Sequence, residues 1–310
     1  MQEIVECVMN VSEGRNLATL KAITDEIQAI ENSFLLHVCS DPDHHRSVVS
    51  FMGTPASIVR AAFFATTKAV ELIDLTKHQG VHPRIGAVDV VPFVPIREVS
   101  MEQCVNIARQ LGEQVGLETG IPVFLYGQAA TRPGFENLAQ IRKGGSEKLG
   151  ELIESDPDQR PDFGPARIHP TAGAMAIGAR PLLIAFNIIM NSSRVDLAHQ
   201  IAGKIRESGG GLTGVKALGF HLAQRNRAQV SMNVTNYRQS PLLEIFNRVR
   251  QEAHRLGIGV EYSEIIGLAP QNALEGDAVR ALQLHDFHPD QILENSIRRA
   301  LENQESEDRR

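Results

Sequence analysis

The sequence contains no tryptophan, and aromatic residues make up only 5% of its 310 positions. That scarcity argues against the strand aromatics on which RNA recognition motifs stack their bases. The sequence also lacks a positive balance. Its formal net charge is -6 at pH 7, so it has no overall basic footprint for nucleic acid. A local cationic cleft for an anionic substrate remains compatible with that total. Cysteine is scarce as well: Cys7, Cys39 and Cys104 are the full set, and none forms a CxxC pair. An odd, sparse set excludes a disulfide framework and fits a reducing cytoplasm. No apolar run approaches the ~20 residues needed to span a bilayer. The opening residues Met1-Gln2-Glu3-Ile4-Val5-Glu6 lack the basic-then-apolar order of a secretory signal. The expectations are a cytoplasmic protein with no nucleic-acid or membrane partner.

What is present reads as ordinary globular chain, with 42% hydrophobic and 22% charged residues. Residues 3–10 read as a strand. Leu17, Leu20, Ile23, Ile27 and Ile30 follow at helical spacing, with Ser12 or Asn16 able to cap that helix. Residues 33–39 and 47–52 read as strands joined by a polar turn. Residues 55–73 read as a helix with Pro55 in its first turn, and 85–94 as a strand. A helix over about 100–116 and a strand over 122–126 extend the series. Residues 128–162 are rich in Pro, Gly and charge and read as an irregular excursion. The second half repeats the order: strands over 182–190, 215–220, 228–234 and 258–266, helices over 195–206 and 241–256. Two successive βαββαβ units predict an α+β protein of two tandem ferredoxin-like subdomains with a ligand cleft between them. The expected boundaries are 1–179 and 180–300, followed by a polar tail at 301–310.

Four segments are candidates for chemistry. His78-Gln79-Gly80-Val81-His82-Pro83-Arg84-Ile85-Gly86-Ala87 places two histidines and an arginine in a Gly- and Pro-rich loop before a buried strand. A loop held by a rigid strand suits catalytic groups, and Pro83 restricts the backbone at His82. Such histidines can equally serve only to satisfy backbone groups in a turn. Ser40-Asp41-Pro42-Asp43-His44-His45-Arg46 contains metal-ligand types. Adjacent His44 and His45 diverge on an extended backbone, so a turn is the better reading and no metal is assigned. In Phe163-Gly164-Pro165-Ala166-Arg167-Ile168-His169-Pro170-Thr171-Ala172, glycine permits close ligand approach and proline stiffens the turns. Arg167 there, and Arg180 further on, can each grip a carboxylate through two hydrogen bonds. A structural crossover with solvated arginines fits the same residues. Gly209-Gly210-Gly211-Leu212-Thr213-Gly214 lacks the lysine and the strand-to-helix setting of a phosphate loop and reads as a helix end.

Val5-Glu6-Cys7-Val8-Met9-Asn10-Val11-Ser12-Glu13-Gly14-Arg15, His82-Pro83-Arg84-Ile85-Gly86-Ala87-Val88-Asp89 and Gly178-Ala179-Arg180-Pro181-Leu182-Leu183-Ile184-Ala185-Phe186-Asn187 resemble the glutamate formiminotransferase family. So do Ala228-Gln229-Val230-Ser231-Met232-Asn233 and Ile266-Gly267-Leu268-Ala269-Pro270. The matches run in order as far as about Glu275, and the cyclodeaminase half of the animal bifunctional enzyme has no counterpart. The resemblance implies transfer of a formimino group from N-formimino-L-glutamate to tetrahydrofolate, giving 5-formiminotetrahydrofolate and L-glutamate, a step of histidine degradation. It implies tetrahydrofolate as cosubstrate, a homodimer, His82 as the catalytic residue and 163–172 as the folate-contacting stretch. The animal-type pattern has an aspartate where Cys39 stands, an acidic residue at Val81 and an aromatic at Ala172.

Formimino transfer is an addition–elimination at an amidine carbon, in which one histidine can take a proton from the attacking amine and return it to the leaving one. No metal is needed. Both substrates carry carboxylates, so Arg84, Arg46, Arg167 and Arg180 are candidate anchors. With Cys39 in place of a carboxylate, Asp41 is the nearest acid able to orient His82. Formyl transfer between glutamate and 5-formyltetrahydrofolate, and a catalytically altered folate-binding relative, remain open alternatives.

Overall fold

The computed structural model describes residues 2–307. The chain is mixed α/β and divides into two compact units, Met1–Pro181 and Leu182–Arg310. The first opens as expected: β1 (Ile4–Val11), α1 (Leu17–Gln28), β2 (Ser33–Asp41), β3 (Arg46–Gly53), α2 (Pro55–Leu72) and β4 (Val88–Arg97). Then come α3 (Met101–Thr119), β5 (Val123–Gly127), α4 (Leu138–Ile141), α5 (Gly145–Ser155) and β6 (Met175–Ala179). Local chemistry fixes the helix starts. Asn16 caps α1 by accepting from Ala18 N and Thr19 N, Thr54 and Pro55 start α2, and Ser100 with Gln103 forms a reciprocal cap on α3. Each cap contributes about 1 kcal/mol.

The strands form one six-stranded sheet in the order β2-β3-β1-β4-β6-β5. β1 pairs antiparallel with β3 and β4, whereas β6 runs parallel to β4 and β5. Side chains alternate between faces, as strand geometry requires. Val5, Cys7, Met9 and Val11 of β1 pack with Ile23 of α1, Ile58 of α2 and Leu111 of α3 in the main core. On the opposite face, Val90, Phe124 and Ala176 are covered by Phe135, Ile141, Leu149 and Ile153. The 128–162 excursion is therefore partly helical, and it is a lid over one end of the sheet. Its helical spacing is confined to two short runs, Leu138 and Ile141 and then Leu149, Leu152 and Ile153, set among Pro, Gly and charged residues.

Two differences bear on the site. β4 begins at Val88, three residues later than the apolar run suggests, and the 85–87 segment makes isolated contacts instead. Ala174 N donates to Ile85 O at 2.8 Å and Ala87 N to Ala172 O at 2.9 Å. β6 was not legible in sequence. Three of its five residues are Ala or Gly, and a Cβ at its Gly178 would lie 2.4 Å from the Tyr126 carbonyl oxygen.

The second unit contains β7 (Ile184–Met190), α6 (Val195–Ile205), β8 (Val215–Leu222), β9 (Arg227–Val234), α7 (Leu242–Arg255), β10 (Val260–Ile266), α8 (Ala278–Ala281) and α9 (Leu293–Glu307). Its four strands are ordered β10-β7-β9-β8, all neighbours antiparallel. The expected polar tail is helical through Glu307, and its positions 308–310 lie outside the described residues. Among the described residues, no helix is long and apolar enough to cross a membrane.

Candidate functional site

The turn 42–45 between β2 and β3 and the loop 78–84 before β4 lie against each other. A Cβ on Gly80 would sit 2.3 Å from the His44 carbonyl oxygen, so only glycine lets the loop approach this closely. Val81 N donates to Asp43 O at 3.4 Å. His45 has a positive φ of 48°, so His44 and His45 lie in a turn and not on extended backbone, and their rings go to different partners. His45 stacks on His78 with ring centroids 4.4 Å apart, while His44 meets His82 edge-on at 5.7 Å. His78 Nε2 donates to His45 O at 2.8 Å, and His45 Nδ1 accepts from Gly14 N at 3.1 Å. Burial pushes both rings below the ordinary histidine range. They are neutral packing partners that shape the loop.

His82 occupies a different environment. Its Nδ1 lies 2.9 Å from Arg46 Nη1 and 2.8 Å from Pro83 O. Burial, followed by the charges of Arg46 and Arg142 and by His44, drives the ring well below the ordinary range; the Pro83 carbonyl pulls the other way. His82 is thus a neutral imidazole near pH 7.

Arg46 leads into a buried ion cluster. Its Nε and Nη2 donate to Asn10 Oδ1 at 3.0 and 2.7 Å, and its Nη1 donates to Asp89 Oδ2 at 2.7 Å. The same Asp89 oxygen accepts from Arg142 Nη2, while Asp89 Oδ1 accepts from Ile85 N at 2.9 Å. Asp89 is fully buried. Burial alone would raise its carboxyl; Arg142 and Arg46 outweigh that and hold it below the usual aspartate range. The donors of Arg46 serve this cluster, so its role is internal and not that of a free carboxylate anchor. Arg84 differs: its Nη2 reaches His78 O at 3.3 Å, but its buried Nε has no hydrogen-bond partner among the described residues. A buried cationic donor without an acceptor is a natural anchor for an anionic ligand.

The 163–172 stretch is divided in its roles. Phe163 packs against the main core, and Ala172 is buried. Between them, Pro165, Arg167, His169 and Pro170, with Thr119 and Gly120 at the end of α3, line a depression of about 570 Å³. Beyond the depression, the end of the 163–172 stretch is joined to the segment that follows His82, since Ala87 N donates to Ala172 O at 2.9 Å and Gly86 bridges Gly173. Arg180 stands at the end of β6 and donates to Pro181 O at 3.1 Å. It faces Tyr126 and Glu6, and burial pushes the Glu6 carboxyl up to about 7 against the pull of Arg180. Asp41 Oδ1 accepts from His44 N at 2.8 Å and so braces the turn that presents His44 to His82. Cys39 is half-buried near the end of β2, and Val81 is exposed.

The family described as "Formiminotransferase domain, N-terminal subdomain" matches residues 4–180, and "Formiminotransferase domain" matches 185–290. The chain belongs to the formiminotransferase family. It is 46% identical over 298 residues to a glutamate formimidoyltransferase of Streptococcus pyogenes serotype M1, covering 96% of this chain and 99% of that one. It is 45% identical over 299 residues to the glutamate formimidoyltransferase of Thermoplasma acidophilum, covering 96% and 98%. The formimidoyltransferase-cyclodeaminase of Mus musculus is 41% identical over 280 residues, with 88% of this chain matched to 51% of the longer protein.

Sequence reasoning singled out His82 and Arg84 in the segment His82-Pro83-Arg84-Ile85-Gly86 but gave Asp89, Asn10 and Arg142 no role. Asp89 carried a usable signal: an acid inside the apolar run 85–94 must find partners once buried. Arg142, inside the charged excursion, carried none.

Proposed function

We propose that this chain is a glutamate formimidoyltransferase. It transfers the formimino group of N-formimino-L-glutamate to tetrahydrofolate, giving 5-formiminotetrahydrofolate and L-glutamate. The observation that carries this reading is a neutral His82 imidazole in a cationic, partly buried setting, in a chain nearly half identical to curated enzymes of that activity over almost its whole length.

N5 of tetrahydrofolate forms a bond to the amidine carbon, and His82 accepts the proton that N5 sheds. The tetrahedral centre then breaks its bond to the glutamate nitrogen, and the imidazolium returns the proton to that nitrogen. A histidine low in pKa is uncharged when the first transfer is needed and strongly acidic for the second. Orientation of the two substrates supplies much of the remaining acceleration. Arg84, Arg167 and Arg180 bind substrate carboxylates. The 163–172 stretch receives folate, supported by the open depression at 165–170 and its backbone link to the His82 segment. Asp41 supports His82 through the His44 turn. No metal is assigned a step.

The strand orders β2-β3-β1-β4 and β10-β7-β9-β8 support two ferredoxin-like subdomains, assigned to 1–179 and 180–300 with the tail at 301–310. A cytoplasmic homodimer completes the assignment. The test is an assay of purified protein with N-formiminoglutamate and tetrahydrofolate, following 5-formiminotetrahydrofolate. His82→Gln should lose about 10²–10⁴-fold in rate with its circular dichroism unchanged. Turnover only of glutamate with 5-formyltetrahydrofolate would replace the reading, and a fully active His82→Gln would remove its catalytic residue.

A further inference from the structure

A single ring nitrogen, His82 Nδ1, lies within hydrogen-bonding distance of both a cationic donor, Arg46 Nη1 at 2.9 Å, and a carbonyl acceptor, Pro83 O at 2.8 Å. It cannot serve both at once. When Nδ1 accepts from Arg46, the ring proton sits on Nε2. When Nδ1 donates to Pro83 O, Nε2 carries the lone pair. The neighbours of Arg46 decide the balance. Its guanidinium is clamped at Nε and Nη2 by Asn10, so it cannot swing away. Its Nη1 has two hydrogens, one directed to Asp89 Oδ2 and the other to His82. Asp89 Oδ2 is shared with Arg142, which comes from the end of α4 in the lid over the sheet.

We propose that Arg142 is a positioning residue for His82: by taking a share of the Asp89 carboxylate it leaves Arg46, held in place by Asn10, with uncompensated positive charge against the Nδ1 edge of the imidazole, and so governs which ring nitrogen holds the proton. This rests on the reading of His82 as the proton carrier and deepens it. Arg46, Asp89 and Arg142 together carry one net positive charge beside the ring. The groups facing His82 are Arg46 from β3, with Asp89 of β4 behind it, Arg142 from the end of α4, His44 from the turn and the Pro83 carbonyl from its own loop. Without Arg142, Asp89 neutralises Arg46. The charge opposing imidazolium is lost, and Nδ1–H on Pro83 O becomes the favoured arrangement. His82 then holds a proton at pH values where the first transfer needs it empty.

The sign of the test follows. Removing a cation raises the pKa of His82, so the acidic limb of the kcat/KM profile moves to higher pH. In Arg142→Gln the midpoint of His82, read by NMR of ¹⁵N-labelled imidazoles and assigned by its absence in His82→Gln, should rise by about one unit. The acidic limb should rise with it. Arg142→Lys should keep both near wild type. A midpoint and limb that stay in place in Arg142→Gln while turnover falls would reduce Arg142 to a structural role and overturn the proposal. If Arg142→Gln does not fold, wild type decides. Nδ1 unprotonated and Nε2 protonated above a midpoint below 6.5 supports the proposal, and a midpoint at or above 6.5 overturns it. The titration needs no turnover, so an active His82→Gln would sink the catalytic reading without changing this result.

Discussion

Replacing Asp89 with Asn tests the buried cluster as a source of stability. Asp89 is fully buried, and both Arg46 and Arg142 direct donors at its Oδ2. An amide has nearly the same shape but no charge, so two largely buried guanidiniums lose the anion they share. Removing one partner of a buried ion pair costs about 3–5 kcal/mol, mostly because the remaining charge is left uncompensated. With a urea dependence of roughly 2–3 kcal/mol per molar, the unfolding midpoint of the first unit should fall by about 1–2 M at pH 7. The pH dependence supplies a second check. The Asp89 carboxyl is lower in the folded state than in the unfolded chain. Its contribution is therefore complete above the unfolded value of about 3.9, and it disappears as pH falls through the lower folded value. The gap between wild type and Asp89→Asn should be constant from pH 5 to 8 and narrow below pH 4. Urea unfolding followed by circular dichroism measures both. A loss under about 1 kcal/mol at pH 7, or a gap that does not narrow in acid, would refute this account of the cluster.

Arg84→Ala should raise KM for N-formiminoglutamate or tetrahydrofolate, whereas Arg206→Ala, at the end of α6, should leave both unchanged; equal effects would make Arg84 structural. Gly80→Ala places a Cβ 2.3 Å from His44 O, so turnover should drop at least about tenfold, the scale of a small misplacement of a catalytic group, while the thermal midpoint of the second unit stays fixed. Near-normal rates would show that the loop can yield. Asp41→Asn should lower kcat by loosening the His44 turn, and Cys39→Ser should change little; the reverse order would make the thiol part of the chemistry.

The sequence by itself determined the order of elements from β1 to β5 and from β7 to β10, because amphipathic periods and caps are local. The 3.6-residue spacing of α1, the Asn16 cap and the Ser100–Gln103 box need nothing from distant chain. It also marked His82 and Arg84 as candidates, since a short run of Gly, Pro, His and Arg before an apolar strand is dense in chemistry, and the resemblance suggested a role for the run. β6 and the state of His82 were decided only in three dimensions. β6 has five residues, three of them Ala or Gly, and its strand character comes from lying between β4 and β5. The imidazole is set by Arg46, Asp89 and Arg142, separated along the chain by tens of residues and joined only when β3, β4 and the α4 lid meet. A sequence displays the residue types available to a site. Which charges are driven together, and which are left without water, depends on the packing that buries them.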